Sequence, residues 1–368
     1  MQRKIVLLTE GFSNPHQGKT ARNLLYYKPE EVMAVFDRET AGKRSDELFG
    51  AGDAPVISTF DEAIGADTLI IGVAPPGGLL PFAYKKIIEE AIKRRMNVVS
   101  GLHTFLSEDE DLVRLARQNN VTIFDVRKNS ENQVVNRKGI KEDCLRIQTV
   151  GNDSSLGKMV TSFEIAVELK RAGYDAKFVA TGQTGIMIEG DGCPIDSVVG
   201  DYINGAAEKL VLKNQHHKIL LIEGQGSLVH PRYSSVTLGL LHGCMPHGMI
   251  MCYEVGRKYV NGLEGVKIPP LKEVIEVFET MANIMFPSKV IGIAINSRKV
   301  SKEEADKERN RVKEEFGLPA CDVIRHGPDE LVNAILDYGV KLKFNLQKEM
   351  TRLSTNDTPI EYNLTLKN

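Results

Sequence analysis

The sequence has no closely spaced cysteine pair, no long apolar run and little net charge. Each of these features argues against a class of protein. The five cysteines are scattered without a CxxC pair, which indicates neither a disulfide framework nor a zinc site and favours a reducing cytoplasm. No apolar run approaches the roughly 20 residues of a membrane span, so no membrane partner is predicted. The net charge of −2, without a basic cluster among aromatic residues, predicts no nucleic-acid partner.

The 368 residues are too many for one ordinary domain, and their pattern predicts two α/β domains. Short β-branched runs alternate with longer amphipathic stretches, which is typical of a parallel sheet with helices on its faces. Residues 1–140 are predicted to form a Rossmann-like parallel-sheet domain, with a polar linker at Lys128–Asp143. Residues 141–345 are predicted to form a P-loop NTPase-like, nucleotide-binding α/β domain, and residues 346–368 a polar C-terminal tail.

A phosphate-binding loop is predicted where the strand Cys144–Val150 runs through a glycine-rich segment into the helix Lys158–Ala172. Glycines let the backbone N–H groups point inward, and the helix N-terminus and Lys158 add positive charge. Five residues separate the glycines instead of the usual four, and Met159 stands where Ser or Thr normally binds Mg²⁺. The alternative is a turn that binds nothing. The predicted cofactor-binding residues are Gly151, Asn152, Asp153, Ser154, Ser155, Leu156, Gly157, Lys158, Met159 and Val160.

Glu223 is predicted to hold Mg²⁺ beside this loop. The apolar strand that ends at Ile222 delivers Glu223 to the carboxyl edge of the sheet, where ligands bind in open α/β sheets. A carboxylate there can hold a cation that bridges phosphate oxygens. The predicted partner ligands are Thr161 and Asp191, with Asp196 as an alternative. A solvated strand end is the other interpretation of Glu223, and Met159 leaves the requirement for Mg²⁺ open.

Two glycine-rich turns are predicted to bind a small substrate. Their polar and glycine positions are Gly182, Gln183 and Thr184 in the first turn and Gln225, Gly226 and Ser227 in the second. Backbone N–H groups of Gly182–Gly185 and Gly224–Ser227 are expected to stabilise an oxyanion. His230 is the predicted catalytic base, and Arg232 is the predicted clamp for a substrate carboxylate. Tight turns and a structural histidine are the alternatives.

The loop also resembles that of dethiobiotin synthetase and its relatives, whose Gly-Thr-Asp-…-Val-Gly-Lys loop has the same longer spacing. Lys177-Phe-Val-Ala-Thr-Gly182 resembles the strand in which those synthetases carry a catalytic lysine. Ile222-Glu-Gly-Gln-Gly226 is similar to their Val-Glu-Gly-Ala-Gly strand end. The resemblance implies a catalytic role for Lys177, Mg²⁺ binding by Glu223 and adenine recognition by Asn296. An ordinary exposed lysine and a turn-capping asparagine are the alternatives.

Longer segments resemble a family of two-domain P-loop proteins that long carried only a domain-of-unknown-function label. These segments are Phe36–Lys43, Gly72–Leu79, Ala180–Ile186, Glu223–Pro231, Val236–Gly243 and Gly292–Asn296. Because the characterised members include a D-glutamate N-acetyltransferase, the resemblance implies acetyl transfer to a small acidic amino acid, D-glutamate first. The loop would then hold ATP or acetyl-coenzyme A (acetyl-CoA). An ATP-dependent, carboxylate-activating ligase and a nucleotide-dependent regulatory protein are the alternatives, and a homo-oligomer stays open.

Overall fold

The structure is a computed structural model in which residues 3–348 are described. Contacts divide the chain into two compact units. Of the described residues, the first unit contains those up to Asn129 together with Ile186–Gly190, and the second contains Ser130–Gly185 and Asp191 to Lys348. The predicted domain boundary at residue 140 stays a prediction, and the predicted tail lies outside the described residues after Lys348.

The first unit is built around a parallel sheet. Its elements in chain order are β1 (Ile5–Leu8), α1 (Lys19–Tyr27), β2 (Val32–Phe36), α2 (Ser45–Phe49), β3 (Val56–Ile57), β4 (Thr68–Ile71), α3 (Tyr84–Lys93), β5 (Asn97–Ser100), α4 (Glu110–Asn119) and β6 (Ile123–Asp125). The strand order is β3-β2-β1-β4-β5-β6, with parallel pairing throughout. The apolar strands β1 and β4 are completely buried, as strands of a parallel sheet usually are.

The chain alternates in the same way from Leu145 onward and forms the sheet of the second unit. The elements are β7 (Leu145–Gly151), α5 (Lys158–Arg171), β8 (Ala176–Val179), α6 (Gln183–Glu189), α7 (Ile203–Asn214), β9 (Ile219–Ile222), α8 (Ser234–Cys244), β10 (Gly248–Glu254), β11 (Tyr259–Val260), β12 (Leu263–Lys267), α9 (Leu271–Met285), β13 (Lys289–Asn296), α10 (Lys302–Phe316), β14 (Ala320–Cys321) and α11 (Asp329–Lys341). Helix α6 is divided, since its residues from Ile186 onward belong to the first unit. The parallel order is β14-β13-β10-β7-β9-β8, while β11 and β12 form a separate antiparallel hairpin. The predicted alternation and parallel sheets are confirmed.

Helix α8 and the β11–β12 hairpin differ from the sequence prediction, which placed no element there. Helix α8 contains two glycines, which lower helix propensity and hide the helical pattern. Gly243 is nevertheless required, because a Cβ atom there would lie 2.3 Å from the backbone oxygen of Asn204 on α7. The predicted turn Thr181–Gly185 is also wrong in its second half, since α6 begins at Gln183.

The predicted linker, Lys128–Asp143, has no regular secondary structure, yet its second half is fixed to α7. The carboxylate of Glu208 on α7 accepts hydrogen bonds from the backbone N–H groups of Asn136 (3.0 Å) and Arg137 (2.5 Å). The backbone N–H of Lys141 donates to the side chain of Gln215 (2.7 Å). This segment is therefore packed onto the second unit.

The cysteines form no disulfide bond, and the helices are not of the membrane-spanning kind within residues 3–348. All five cysteines are buried and carry free thiols. Within residues 3–348, no helix combines the length and the apolar character that a membrane crossing needs.

Candidate functional site

The glycine-rich loop Gly151–Lys158 connects β7 to α5, as the sequence predicts. Strand β7 lies between β10 and β9, so the loop leaves the carboxyl edge of the sheet from an interior position. The side-chain oxygen of Asn152 is buried and accepts no hydrogen bond from residues 3–348. A buried polar atom without a partner is costly, so this atom indicates a site completed by a ligand.

Lys158 is buried against its own loop. Its side chain Nζ donates a hydrogen bond to the backbone oxygen of Asp153 at 2.8 Å, and the residue is only 6% exposed. Burial lowers the pKa of Lys158 to about 8. The tight fit requires glycine at position 224, because a Cβ atom there would lie 1.8 Å from the backbone oxygen of Thr149 and 3.0 Å from the Lys158 Cδ. The loop lysine is thus held in place before any phosphate arrives.

Asp153 holds the loop from inside. Its side chain is completely buried, and Oδ1 accepts a hydrogen bond from the backbone N–H of Ser154 at 2.6 Å. Its Oδ2 accepts hydrogen bonds from Arg257 Nη1 at 2.8 Å and from the backbone N–H of Asn261 at 2.9 Å. These donors hold the carboxylate of Asp153 in one orientation. Asp153 therefore fixes the loop conformation and is not positioned to meet a ligand phosphate.

The β11–β12 hairpin contributes residues that sequence reasoning missed. Arg257, just before the hairpin, also donates to the backbone oxygen of Ser154 at 2.8 Å. Asn261 lies in the hairpin turn beside Gly262, and its side-chain amide approaches the Ser154 hydroxyl at 3.4 Å. An Asn-Gly pair is the strongest short-range hairpin signal, so this turn could have been found from the sequence. The hairpin is attached to the phosphate loop through its turn.

Asn296 contacts the loop itself. It ends β13, and its side-chain Nδ2 donates to the backbone oxygen of Leu156 at 2.8 Å. Its Oδ1 accepts a hydrogen bond from the backbone N–H of Arg298 at 3.3 Å. Both ends of the amide are therefore engaged within the chain, and they would have to be released for Asn296 to bind adenine. Adenine recognition stays a prediction.

Glu223 lies where the sequence predicts, directly after β9 at the carboxyl edge of the sheet. Its Oε2 accepts hydrogen bonds from the backbone N–H groups of Thr181 (2.9 Å) and Gly182 (3.1 Å). Its Oε1 accepts a longer bond from the side chain of Gln225 at 3.3 Å. Burial raises the pKa of Glu223 to about 7, and Asp196 acts in the same direction. Glu223 is therefore a carboxyl group that can exchange a proton near neutral pH.

The predicted metal ligands do not form one cluster. Asp191 is paired with Lys213 on α7 at 2.5 Å, and the Thr161 hydroxyl interacts with the thiol of Cys252. Asp196, the alternative partner, is the carboxylate that interacts electrostatically with Glu223. Residues 3–348 contain no group of three acidic, histidine or cysteine side chains that could hold a metal ion. The residues therefore do not fit a protein-only Mg²⁺ cage, and a cation would need phosphate oxygens as further ligands.

Two of the backbone donors expected to stabilise an oxyanion are already engaged. The N–H of Gly182 binds Glu223 Oε2, and the N–H of Gly224 donates to the Thr149 hydroxyl at 3.0 Å. These groups hold the strand ends together. The expected oxyanion role for Gly182 and Gly224 is therefore not available in this conformation.

The remaining predicted substrate residues lie close to Glu223. Gln225 donates to the Thr181 hydroxyl at 3.1 Å as well as to Glu223. Ser227 is completely buried, and its hydroxyl accepts a bond from a backbone N–H two residues later. Gln183 is buried and Thr184 half-buried at the start of α6, and Gly226 has the positive φ of 56° that glycine favours. The segment's substrate role stays a prediction.

His230 is completely buried against the phosphate loop. Its Nδ1 accepts a hydrogen bond from the backbone N–H of Arg232 at 3.1 Å, so a neutral ring carries its proton on Nε2. That Nε2 lies 3.6 Å from Asp153 Oδ1. Burial also lowers the pKa of His230. A neutral ring with this tautomer has no free lone pair for a substrate proton, so the geometry argues against His230 as the base. Arg232 is exposed.

Lys177 is placed within β8 and not at its end. It pairs with Leu220 on β9, whereas the N–H of Glu223 bonds the backbone oxygen of Val179 farther along the strand. At about 3.3 Å per residue, Lys177 lies about 10 Å back from the level of Glu223. The predicted catalytic role of Lys177 is not supported by this position.

Comparison with known proteins follows the same division of the chain. The family model described as "Domain of unknown function (DUF1611_C) P-loop domain" matches residues 130–332. The model described as "Domain of unknown function (DUF1611_N) Rossmann-like domain" matches residues 38–129. Both predictions, the α/β fold class with its Rossmann-like and P-loop domains and the resemblance to a family of unknown function, are confirmed.

Two curated relatives and one solved structure are similar over most of the chain. A D-glutamate N-acetyltransferase from Pseudoalteromonas sp is 39% identical over 73% of this chain and 81% of its own length. A second protein of that name, from Tritonibacter scottomollicae, is 39% identical over 74% of this chain and 82% of its own. The crystal structure of a DUF1611 family protein from Anabaena variabilis is 37% identical, with a TM-score of 0.87 over 92% of this chain and 100% of its own.

Proposed function

The chain belongs to the DUF1611 family, and on that premise we propose that it transfers the acetyl group of acetyl-CoA to the amine of D-glutamate. The proposal takes its substrate from two relatives at 39% identity whose names state this activity. Its chemistry is supported by the phosphate loop and by Glu223, the carboxyl group beside it.

The observation that carries the choice of acetyl-CoA is the combination of a phosphate loop with a poor metal site. Lys158 is buried in the loop, whereas Met159 replaces the usual hydroxyl ligand. Ligation driven by ATP breaks a phosphate bond and relies on Mg²⁺ to neutralise the charge that develops. Acyl transfer from a thioester leaves the phosphates of coenzyme A intact, so the loop has only to bind them. A loop in which Met159 replaces the hydroxyl ligand of Mg²⁺ is therefore suited to acetyl-CoA.

Glu223 is the proposed general base. In the reaction the amine nitrogen forms a bond to the acetyl carbon, the carbon–sulfur bond breaks, and the thiolate leaves and takes up a proton. The ammonium group of the amino acid must first lose a proton. Glu223 Oε1 is the less firmly bound of its two oxygens, and its pKa of about 7 allows it to accept that proton near neutral pH. This role replaces the one predicted for His230.

A thiol-release assay tests the proposed function. Purified protein is given acetyl-CoA with D- or L-glutamate, D- or L-aspartate, or D-glutamine, and free thiol is measured without and with a chelator. Release with D-glutamate that the chelator leaves unchanged is expected. Parallel reactions contain ATP and Mg²⁺ in place of acetyl-CoA. If no amino acid releases thiol and ATP is hydrolysed in the presence of a carboxylate, the protein is a ligase and the proposal fails.

A further inference from the structure

Three basic side chains converge on one buried carboxylate beside the phosphate loop. Glu254 ends β10, and its side chain is 1% exposed. Its oxygens lie 3.0 Å from Arg257 Nη2, 2.7 Å from Arg298 Nη2 and 2.7 Å from Lys299 Nζ. Burial alone would raise the pKa of Glu254, but hydrogen bonds from Arg257 and Lys299 hold it at about 2. Glu254 is thus ionised and gathers three cations, which we call the basic cluster.

The positive charges of the basic cluster outnumber the carboxylates that pair with them. Arg257 is also bound to Asp153, and Asp153 and Glu223 both act on Lys158, so four cations face three carboxylates around the loop. Arg257 is nearly buried, but the side chains of Arg298 and Lys299 are 34% and 63% exposed. Their charged groups can therefore meet a ligand without leaving Glu254. A rim of this kind attracts a further anion.

Strand order separates the basic cluster from the proposed base. Glu223 follows β9 on one side of the loop, whereas Arg298 and Lys299 follow β13 on the other. Three strand spacings lie between β9 and β13, which is about 14 Å at the usual spacing of about 4.8 Å. The amine of an amino acid must reach Glu223 in the proposed reaction. The basic cluster therefore serves the opposite end of a long ligand.

We infer that Arg298 and Lys299 bind the 3′-phosphate on the ribose of coenzyme A. This rests on the proposed function, since it needs coenzyme A in the loop. Coenzyme A carries a pyrophosphate, which suits the loop, and a third, separate phosphate on its ribose that ATP lacks. Guanidinium and ammonium groups form charge-assisted hydrogen bonds to phosphate, and the guanidinium can bind two oxygens at once. The basic cluster thus selects coenzyme A over ATP.

The test is calorimetric titration of the full chain with coenzyme A and with 3′-dephospho-coenzyme A, which differ only in that phosphate. Wild-type protein is expected to bind coenzyme A at least about 10-fold more tightly, as one good charge-assisted contact provides. The double variant Arg298→Ala/Lys299→Ala should lose about 10- to 100-fold in affinity for coenzyme A and leave the dephospho form within about 3-fold. A matched control, Lys302→Ala/Lys307→Ala, removes the same charge from exposed positions on the neighbouring α10.

Several results would overturn the assignment. The 3′-phosphate contact is ruled out if the double variant loses affinity equally for both ligands, or if wild-type protein binds both ligands equally tightly. Either result is compatible with acetyl transfer. If wild-type protein binds neither coenzyme A nor its dephospho form, the proposed function is wrong, and so is the assignment of Arg298 and Lys299 that rests on it. Loss of both cations leaves Glu254 with fewer partners, so the single variant Lys299→Gln, which removes the charge but keeps a hydrogen-bond donor beside Glu254, is measured too. It should lower affinity for coenzyme A more than for the dephospho form, and no difference would also count against the contact.

Discussion

Replacing Lys158 by methionine is expected to stabilise the ligand-free protein while it abolishes phosphate binding. The pKa of this buried lysine falls from an ordinary 10.5 to about 8. Because one pKa unit equals about 1.4 kcal/mol, keeping the ammonium group charged in the folded protein at pH 7 costs about 3 kcal/mol. Methionine also leaves the buried Asp153 backbone oxygen without its donor, which costs about 2 kcal/mol. Methionine has a similar shape without the charge, so we expect a gain of about 1 kcal/mol in the free energy of unfolding.

The gain has a pH dependence of definite sign. The pKa of Lys158 is lower in the folded protein than in the unfolded chain, so the unfolded chain binds more protons between about pH 8 and 10.5. The stability contribution of the wild-type lysine therefore rises with pH across this window. Methionine does not titrate. The advantage of the Lys158→Met variant should be full below about pH 8, should vanish near pH 9 and should reverse in favour of wild type toward pH 10.5.

Urea denaturation at pH 7 and pH 10, followed by circular dichroism, measures the difference. Hydrogen exchange of the α5 amides reports the second unit separately, which matters because two units need not unfold together. Lys170→Met, an exposed lysine in the last turn of the same helix, is the control and should change stability by less than about 0.5 kcal/mol. Destabilisation of the Lys158→Met variant by more than about 1 kcal/mol at pH 7, or a difference that ignores pH, would refute the reasoning.

Two further predictions concern the carboxyl edge of the sheet. Glu223→Gln should lower kcat for acetyl transfer about 10²- to 10⁴-fold with little change in the KM for acetyl-CoA. Wild-type activity should rise with pH through about 7, as the carboxyl group of Glu223 ionises, and then level off. A variant that acts at full rate, or a wild-type pH profile that is flat from pH 6 to 8, would show that Glu223 is not the base. Gly224→Ala should destabilise the second unit by more than about 3 kcal/mol, because the new Cβ atom would clash with the backbone oxygen of Thr149. Gly200→Ala is the control and should not destabilise it, because a Cβ atom there has no neighbour within 4 Å. Equal melting temperatures for the two variants would show that the two strand ends can move apart to accept the Cβ atom.

The phosphate loop and Glu223 could be predicted from the sequence because each depends on local order. A strand, a glycine-rich segment, a lysine and a helix follow one another within a few residues, and an apolar strand ends directly at Glu223. Parallel strands bring such ends to one edge whatever the length of chain between them. The catalytic role of Lys177 stays a prediction, because one residue of strand shifts a side chain by about 3.3 Å along the sheet and the local pattern does not show which strand residue lies level with Glu223.

Arg257 and Glu254 could not be predicted, because their roles depend on contacts between distant segments. Arg257 binds the carboxylate of Asp153 across 104 positions of sequence, and no local pattern distinguishes it from an ordinary surface arginine. The surroundings of His230 could not be predicted for the same reason, because its ring faces Asp153 inside the protein. A sequence shows that a histidine follows a strand end, but not that the backbone N–H of Arg232 already occupies its acceptor nitrogen.

The bonds made by Asp153 also constrain how this protein can change over generations. One carboxylate joins the phosphate loop to Arg257 and Asn261, which lie 104 and 108 positions away along the chain. Loss of either member of a buried ion pair costs about 3–5 kcal/mol, so a single substitution is poorly tolerated. Relatives that replace the aspartate are therefore expected to have replaced the arginine as well. The hairpin and the loop should be inherited as a pair, and an exchange of the hairpin between distant relatives should succeed only when the loop is exchanged with it.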